Sequence, residues 1–413
     1  MSKEHPSYVT RLMKGLAGVV VLALVAGCGL PANRGTAQSH SLAGRGAKGG
    51  HRWSSLSPTW QIPHVDDTPH YYGLGTDGRR VFVVQQEIPT SAEAVPAEVT
   101  AYDGGSGARR WTTTLPWIPQ TTPVAGNGVV VFATRTAPPS PRTAQAAVYV
   151  GLDTATGKPL WRRTVRQPIR PPVGHDTPPG AFFDGLFYYA DGARLIGVDP
   201  RTGAARRAHT AKTVDIVFGP VAFGSHLAVI TRGDVDRGGE WQEYLIVVDK
   251  TLAQTALYTF AGMPAIDTLA AEGDVLVAGQ DNEGIWAVDA GTGKQLWHKE
   301  LPEDLSSIGP PVNKVVPVLR VFPGGGKGVV AYDVRTGRKL WELGPKEGAF
   351  SDRRLQVADG TLFSLGHDIE IIDTIDGKVL FDLPSRRGGI SLTAAAGKII
   401  AFTHDGLFGL GAS

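Results

Sequence analysis

Cysteine is almost absent from this chain: Cys28 is the only one among 413 residues. That excludes a disulfide framework, a CxxCH haem segment and cysteine chemistry in the body of the protein. Charge of one sign is lacking as well. The formal net charge is only +2, so no global field points to nucleic acid as a partner. A membrane-spanning run is also missing near the start. The apolar segment GLAGVVVLALVAG (15–27) is too short for an ordinary span. Two acidic turns, GDVDRGGE (233–240) and GQDNEG (279–284), depart from the D-x-[DN]-x-[DN]-G-x5-E spacing that cradles calcium. The GGG at 324–326 opens no helix, so it does not read as a phosphate loop. Neither a metal nor a cofactor is expected.

The first thing present is a targeting signal. Arg11 and Lys14 precede the apolar run, which ends Val25-Ala26-Gly27-Cys28. That ending resembles the bacterial lipobox, in which the cysteine is diacylated and becomes the first residue of the mature chain. Residues 1–27 are therefore expected to be a lipoprotein signal peptide, with Cys28 as the lipidation site. Residues 28–52 are rich in Gly, Ala and Ser and carry no acidic residue; they read as a flexible tether. A lipid at a terminal cysteine holds a protein to the membrane without spanning it. The expected location is the extracytoplasmic face of a cell membrane.

The remainder, 53–413, repeats itself. Seven aspartates, Asp103, Asp153, Asp199, Asp249, Asp289, Asp333 and Asp373, recur at spacings of 50, 46, 50, 40, 44 and 40. The clearest copies are AYDGGSGARRW (101–111), GLDTATGKPLW (151–161), AVDAGTGKQLW (287–297) and AYDVRTGRKLW (331–341). Each has an apolar strand before the Asp and an aromatic strand after a Gly, which is a hairpin pattern. The Asp and the following Thr (Thr156, Thr292, Thr336) bond local backbone amides. Gly107, Gly157, Gly293 and Gly337 supply the positive φ. Trp111, Trp161, Trp297 and Trp341 are large and flat enough to pack between repeats. The third copy has Arg207 at the aromatic position. The fourth has lost Thr and Gly, has Leu257 at the aromatic position and Tyr258 one residue late. Both are expected to form looser or irregular hairpins.

A fainter hairpin precedes each of these, for example TTPVAGNGVVVFAT (121–134), PPVNKVVPVLRV (310–321) and LTAAAGKIIAFT (392–403). Eight such A–B hairpins stand against seven Asp-centred C–D hairpins. The chain ends GLFGLGAS (406–413), a C strand stopped at Gly411. SPTWQIP (57–63) is a D strand whose aromatic is Trp60. The fold expected is all-β: an eight-bladed propeller of four-stranded antiparallel blades, closed by the N-terminal outer strand completing the last blade. A period of roughly 44 residues suits such a blade, and closure removes open sheet edges.

The Asp-x-x-Thr-Gly-x-x-x-Trp unit resembles the repeat of the PQQ-type, quinoprotein-like β-propellers, in which it is the tryptophan-docking motif. The resemblance covers residues 56–411. That superfamily holds quinone-dependent dehydrogenases and a non-catalytic bacterial lipoprotein branch of the BamB type. Size, lipobox and blade count resemble the second. The dehydrogenases are typically longer, and several carry a vicinal disulfide that a chain with one cysteine cannot form. The resemblance thus implies a fold and a set of docking residues, and no catalytic one.

Three His–Asp pairs, 175–176, 367–368 and 404–405, read as turn formers more readily than as general bases. The long insertions are 87–96, 136–145, 166–179 and 232–241. All are B–C or D–A loops of the first four blades, so all crowd one face, where binding sites commonly develop. The function expected is a lipid-anchored, non-enzymatic scaffold that meets an envelope protein through those loops, as a monomer and without nucleic acid. The alternatives are a small-ligand or glycan-binding propeller, and a PQQ-dependent dehydrogenase.

Overall fold

The computed structural model describes residues 56–412 except 64–68, 88–95, 117, 136–146, 166–179, 212–214, 234–241, 261–265, 267, 281–283, 301–304, 324–325, 346–353, 367, 385–388 and 404. No helix occurs among the described residues.

Strands of four repeat eight times around a ring. Blades 1 to 7 take residues 69–115, 118–164, 181–210, 215–259, 268–300, 305–343 and 354–384. Blade 8 takes 389–412 together with the N-terminal strand Leu56–Pro63. That strand runs antiparallel to Gly406–Ala412, with Trp60 opposite Gly409 and Ser57 opposite Gly411. The two ends of the propeller thus share one sheet, and the ring closes as the unequal hairpin counts require.

Alternation of side chains decides the packing. Val81 and Val83 of blade 1 pack against blade 8, whereas Phe82 and Val84 of the same strand pack against blade 2. Both faces of an inner strand are covered, which is why B and C strands read as unbroken apolar runs. In Ala147–Asp153 all but the terminal Asp are buried. D strands lie outermost and alternate, as Pro159–Thr164 does, with Trp161 turned inward. Eight apolar clusters result, one between each pair of neighbouring blades.

Two A strands differ from expectation. In blade 6 the A strand is Leu305–Ile308, upstream of the expected 310, and Val312 and Val315 only bridge across the turn. In blade 2 it is split into Ile118–Pro119 and Val124–Gly126, both paired with Val129–Arg135. Pro123, which has no N–H to donate, sits in the break.

Docking turns and candidate interaction surfaces

The Asp-centred turns are built alike. In blade 2, Asp153 N donates to Lys158 O and Gly157 N donates to Asp153 O. The Asp153 Oδ1 accepts from the amides of Ala155 and Thr156 and from the Thr156 hydroxyl, at 2.9–3.0 Å. Thr292 and Thr336 bond Asp289 and Asp333 in the same way, and Ser106 bonds Asp103. These donors favour the ionised carboxylate. Asp103 is held at about 2, chiefly by the Arg110 guanidinium 2.7 Å away and then by Ser106. At Asp153 desolvation, the largest single influence, pushes upward, and the combined hydrogen bonds led by the Thr156 hydroxyl still lower it.

Each tryptophan reaches the turn of the next blade. The indole nitrogens of Trp60, Trp111, Trp161, Trp297 and Trp341 donate to the carbonyls of Gly104, Thr154, Pro200, Val334 and Thr374, at 2.5–3.2 Å. Every acceptor is the residue after a motif Asp. The rings lie on Gly107, Gly157, Gly203, Gly337 and Gly377, where a Cβ would come within 2.5–2.7 Å of the indole. Those glycines also sit at φ of 65–76°, so one residue type answers both a backbone and a packing demand. Gly293 is different: the Leu257 backbone stands where a ring would be.

Three interfaces have no tryptophan at the docking position, and each solves the contact differently. In blade 3, Arg207 occupies the aromatic register opposite Gly197. Its guanidinium donates to Lys250 O, again the residue after a motif Asp, and pairs with Asp184 at 2.9 Å. The expectation of a loose hairpin there is overturned, because Asp199 makes the regular amide bonds to Arg201 and Thr202 and Gly203 closes the turn. In blade 4 the turn is one residue shorter, with Asp249 N bonded to Ala253 O and Leu252 at φ 65°. The register therefore slips, and Ala256, not Leu257, lies opposite Val247 at the inward site. Leu257 is 49% exposed. In blade 7, Phe381 takes the site. Blade 8 has no C–D turn to accept an indole N–H, and phenylalanine has none to leave unsatisfied.

The four long insertions fall largely outside the described residues, as do His175, Asp176, His367 and His404. Asp405 is described, and its amide donates to the Thr403 hydroxyl in a turn. Among the described residues, no three His, Cys, Asp or Glu side chains gather to hold a metal ion. The best-defined loop base is in blade 4. Gly233 N donates to Gln242 O, and Arg232 makes a forked contact to Glu243 Oε1. Glu243, only 2% exposed, accepts the amide of Ile266, at the entry to blade 5, on its other oxygen. Glu243 thus joins Arg232 of its own blade to the segment that leads into blade 5. Nothing in the repeat pattern marks Glu243; it is legible only as an acid opening an otherwise apolar strand, EYLIVVD.

A shallow polar cleft of about 380 Å³ opens on the outer wall between blades 2 and 3, lined by Trp161, Arg162, Arg163, Thr164, Thr202 and Gly203. There the Arg163 guanidinium donates to Gly203 O at 2.5 Å.

Comparison with known proteins agrees with this architecture. BamB from Moraxella catarrhalis superposes with a TM-score of 0.54 at 15% identity, covering 86% of this chain and 97% of that one. The computationally designed Ika8 protein superposes with a TM-score of 0.56, also at 15% identity, covering 86% and 98%. These likenesses concern the fold. No curated protein matches the sequence. The sequence profile described as outer membrane protein assembly factor BamB matches residues 42–233 and 258–387, well over half of the chain. This chain therefore belongs to the BamB family of PQQ-type β-propellers.

Proposed function

We propose that this protein is a lipid-anchored, non-catalytic interaction scaffold on the extracytoplasmic face of a bacterial membrane. The observation that carries the reading is how differently the two ends of the blades are used. At the A–B and C–D end, the polar groups are spent on the ring itself: motif carboxylates bond their own turns, and the carbonyls after them receive indole or guanidinium groups. The B–C and D–A end carries the long insertions of blades 1 to 4, and the two strands that flank the blade 4 insertion are joined by the Arg232–Glu243 ion pair, whose carboxylate is buried. A rigid frame with long loops at one end is a common arrangement for binding. Family membership supports the scaffold role, and the lipobox at Cys28 supports the anchor, with residues 1–27 as signal and 28–52 as tether.

The test is crosslinking in intact membranes followed by affinity capture and mass spectrometry, with Cys28→Ser alongside. One dominant protein partner, lost in the Cys28→Ser chain, is the expected result. Deleting 137–144 and 234–239 is expected to weaken that capture and leave the fold intact. Undiminished capture would remove the loops from the interface, and no partner above background would favour ligand binding instead.

A further inference from the structure

The outer strands of three consecutive blades are one-sided in charge. Arg109–Leu115 (RRWTTTL), Pro159–Thr164 (PLWRRT) and Ala205–Thr210 (ARRAHT) contain six arginines and one histidine, and no carboxylate. Charged residues on exposed edge strands ordinarily guard against edge-to-edge pairing. That role does not require one sign, and the far side of this ring guards itself with mixed charge: His298, Lys299 and Glu300 in blade 5, Lys339 and Glu342 in blade 6, Asp382 in blade 7.

Local neutralisation is incomplete on the basic side. Arg110, Arg206 and Arg207 pair with Asp103, Asp199 and Asp184. Among the described residues no carboxylate pairs with Arg109, Arg162 or Arg163, and Arg163 donates only to neutral oxygen acceptors such as Gly203 O. Arg162 and Arg163 flank the polar cleft, where Thr164 and Thr202 add hydroxyls. The cleft thus offers cationic and neutral donors together, the combination that suits a phosphate group.

We propose that the outer strands of blades 1 to 3 form a wall that seats the propeller sideways on anionic phospholipid headgroups, with the Arg162–Arg163 cleft as its centre. Phospholipid is favoured over other polyanions by where the chain enters the ring. The first described strand, Leu56–Pro63, is the outer strand of blade 8, and its Trp60 docks on blade 1. The tether therefore leaves from the outer rim, one blade away from the basic wall. About 28 residues separate Cys28 from Leu56, a reach of up to roughly 90 Å when extended. A basic patch beside a membrane tether adds an electrostatic contact with anionic headgroups to the hold of the acyl chains. The proposal rests on the extracytoplasmic, membrane-attached reading for the presence of a bilayer.

The experiment places a single fluorescent label on opposite sides of the ring. Leu160 in blade 2 and Leu340 in blade 6 hold the same strand position, directly before the docking Trp, and are equally exposed (37% and 36%). Full chains carrying Cys28→Ser and either Leu160→Cys or Leu340→Cys are attached to vesicles by an N-terminal tag on a chelating lipid. Attachment thus depends on neither acylation nor the wall. Quenching by headgroup spin labels is then read in equal-part phosphatidylglycerol and phosphatidylcholine vesicles and in pure phosphatidylcholine. Quenching at 160 and not at 340, only in the anionic vesicles and reversed by salt, is the expected result. Arg109→Gln with Arg162→Gln is expected to lower the quenched fraction about tenfold, whereas Lys294→Gln with Arg338→Gln leaves it unchanged. Equal quenching at both positions, or none at 160, overturns the proposal and leaves the acyl anchor untouched. Shielding of position 160 by soluble polyphosphate and not by vesicles overturns the phospholipid assignment in favour of another polyanion. Acylation of Cys28 is read separately, by mass spectrometry of the native chain.

Discussion

Arg207 donates its guanidinium hydrogen bond to the carbonyl of Lys250, the position that an indole N–H reaches at five other blade interfaces. The acceptor is constant and the donor varies. At these six interfaces a long side chain caps the carbonyl after the motif Asp, whereas at the blade 4–5 interface the inward site is held by Ala256. Tyr188 fills the remaining volume, since its ring lies against Gly197 and its hydroxyl is 3.4 Å from the guanidinium.

Removing that donor is expected to lower stability. Arg207→Leu keeps side-chain bulk and loses the hydrogen bond, at a cost of about 1 kcal/mol. Arg207→Lys is expected to keep part of it. Urea unfolding midpoints of the three chains check the order.

At Trp297 the donor and the ring can be separated. Trp297→Phe abandons the Val334 carbonyl but keeps most of the apolar contact, and is expected to cost about 1–2 kcal/mol. Trp297→Ala removes a side chain only 9% exposed and is expected to cost about 3–5 kcal/mol. Equal losses in the two variants would show that the hydrogen bond carries the contact.

Two glycines with similar backbones distinguish strain from crowding. Gly360 has φ 70° and open space beyond it, whereas Gly337 has φ 65° and the Trp297 ring 2.7 Å from an added Cβ. Gly360→Ala is expected to cost about 1 kcal/mol from the backbone alone. Gly337→Ala adds displacement of the indole and is expected to cost at least about 2 kcal/mol more. Thermal melts of both variants decide it.

Acid should weaken the turns. The folded value of Asp103 is about 2 against an ordinary 3.8, with Arg110 the leading cause. Because folding lowers this pKa, the carboxylate's stabilising contribution is complete above about pH 4 and is lost as pH falls toward 2. Asp153, Asp289 and Asp333 are lowered too and add to the same trend. Unfolding midpoints measured from pH 5 to pH 2 are expected to fall, and Asp103→Asn is expected to flatten the slope.

Much of the fold was legible because the repeat writes its own physics into local sequence. A turn that needs Asp, Thr and a positive-φ Gly uses residues within five positions of one another, and Trp60 with Gly411 betrayed the closing strand for the same reason. Blade 4 was misread at Leu257 because one residue missing from a turn shifts every later side chain to the opposite face. That slip places Ala256 inward, and it cannot be seen until the pairing with Val247 is known.

The sequence by itself determined the number of blades and the site of ring closure. These depend on short-range spacing, and local spacing survives in one dimension. Only the tertiary structure decided that Arg207 stands in for an indole, that Glu243 ties a strand of blade 4 to Ile266 at the entry to blade 5, and that arginines spread over nearly a hundred residues lie on the outer strands of three neighbouring blades. Each of these joins residues from different repeats, and it is the closing of the ring that brings them together.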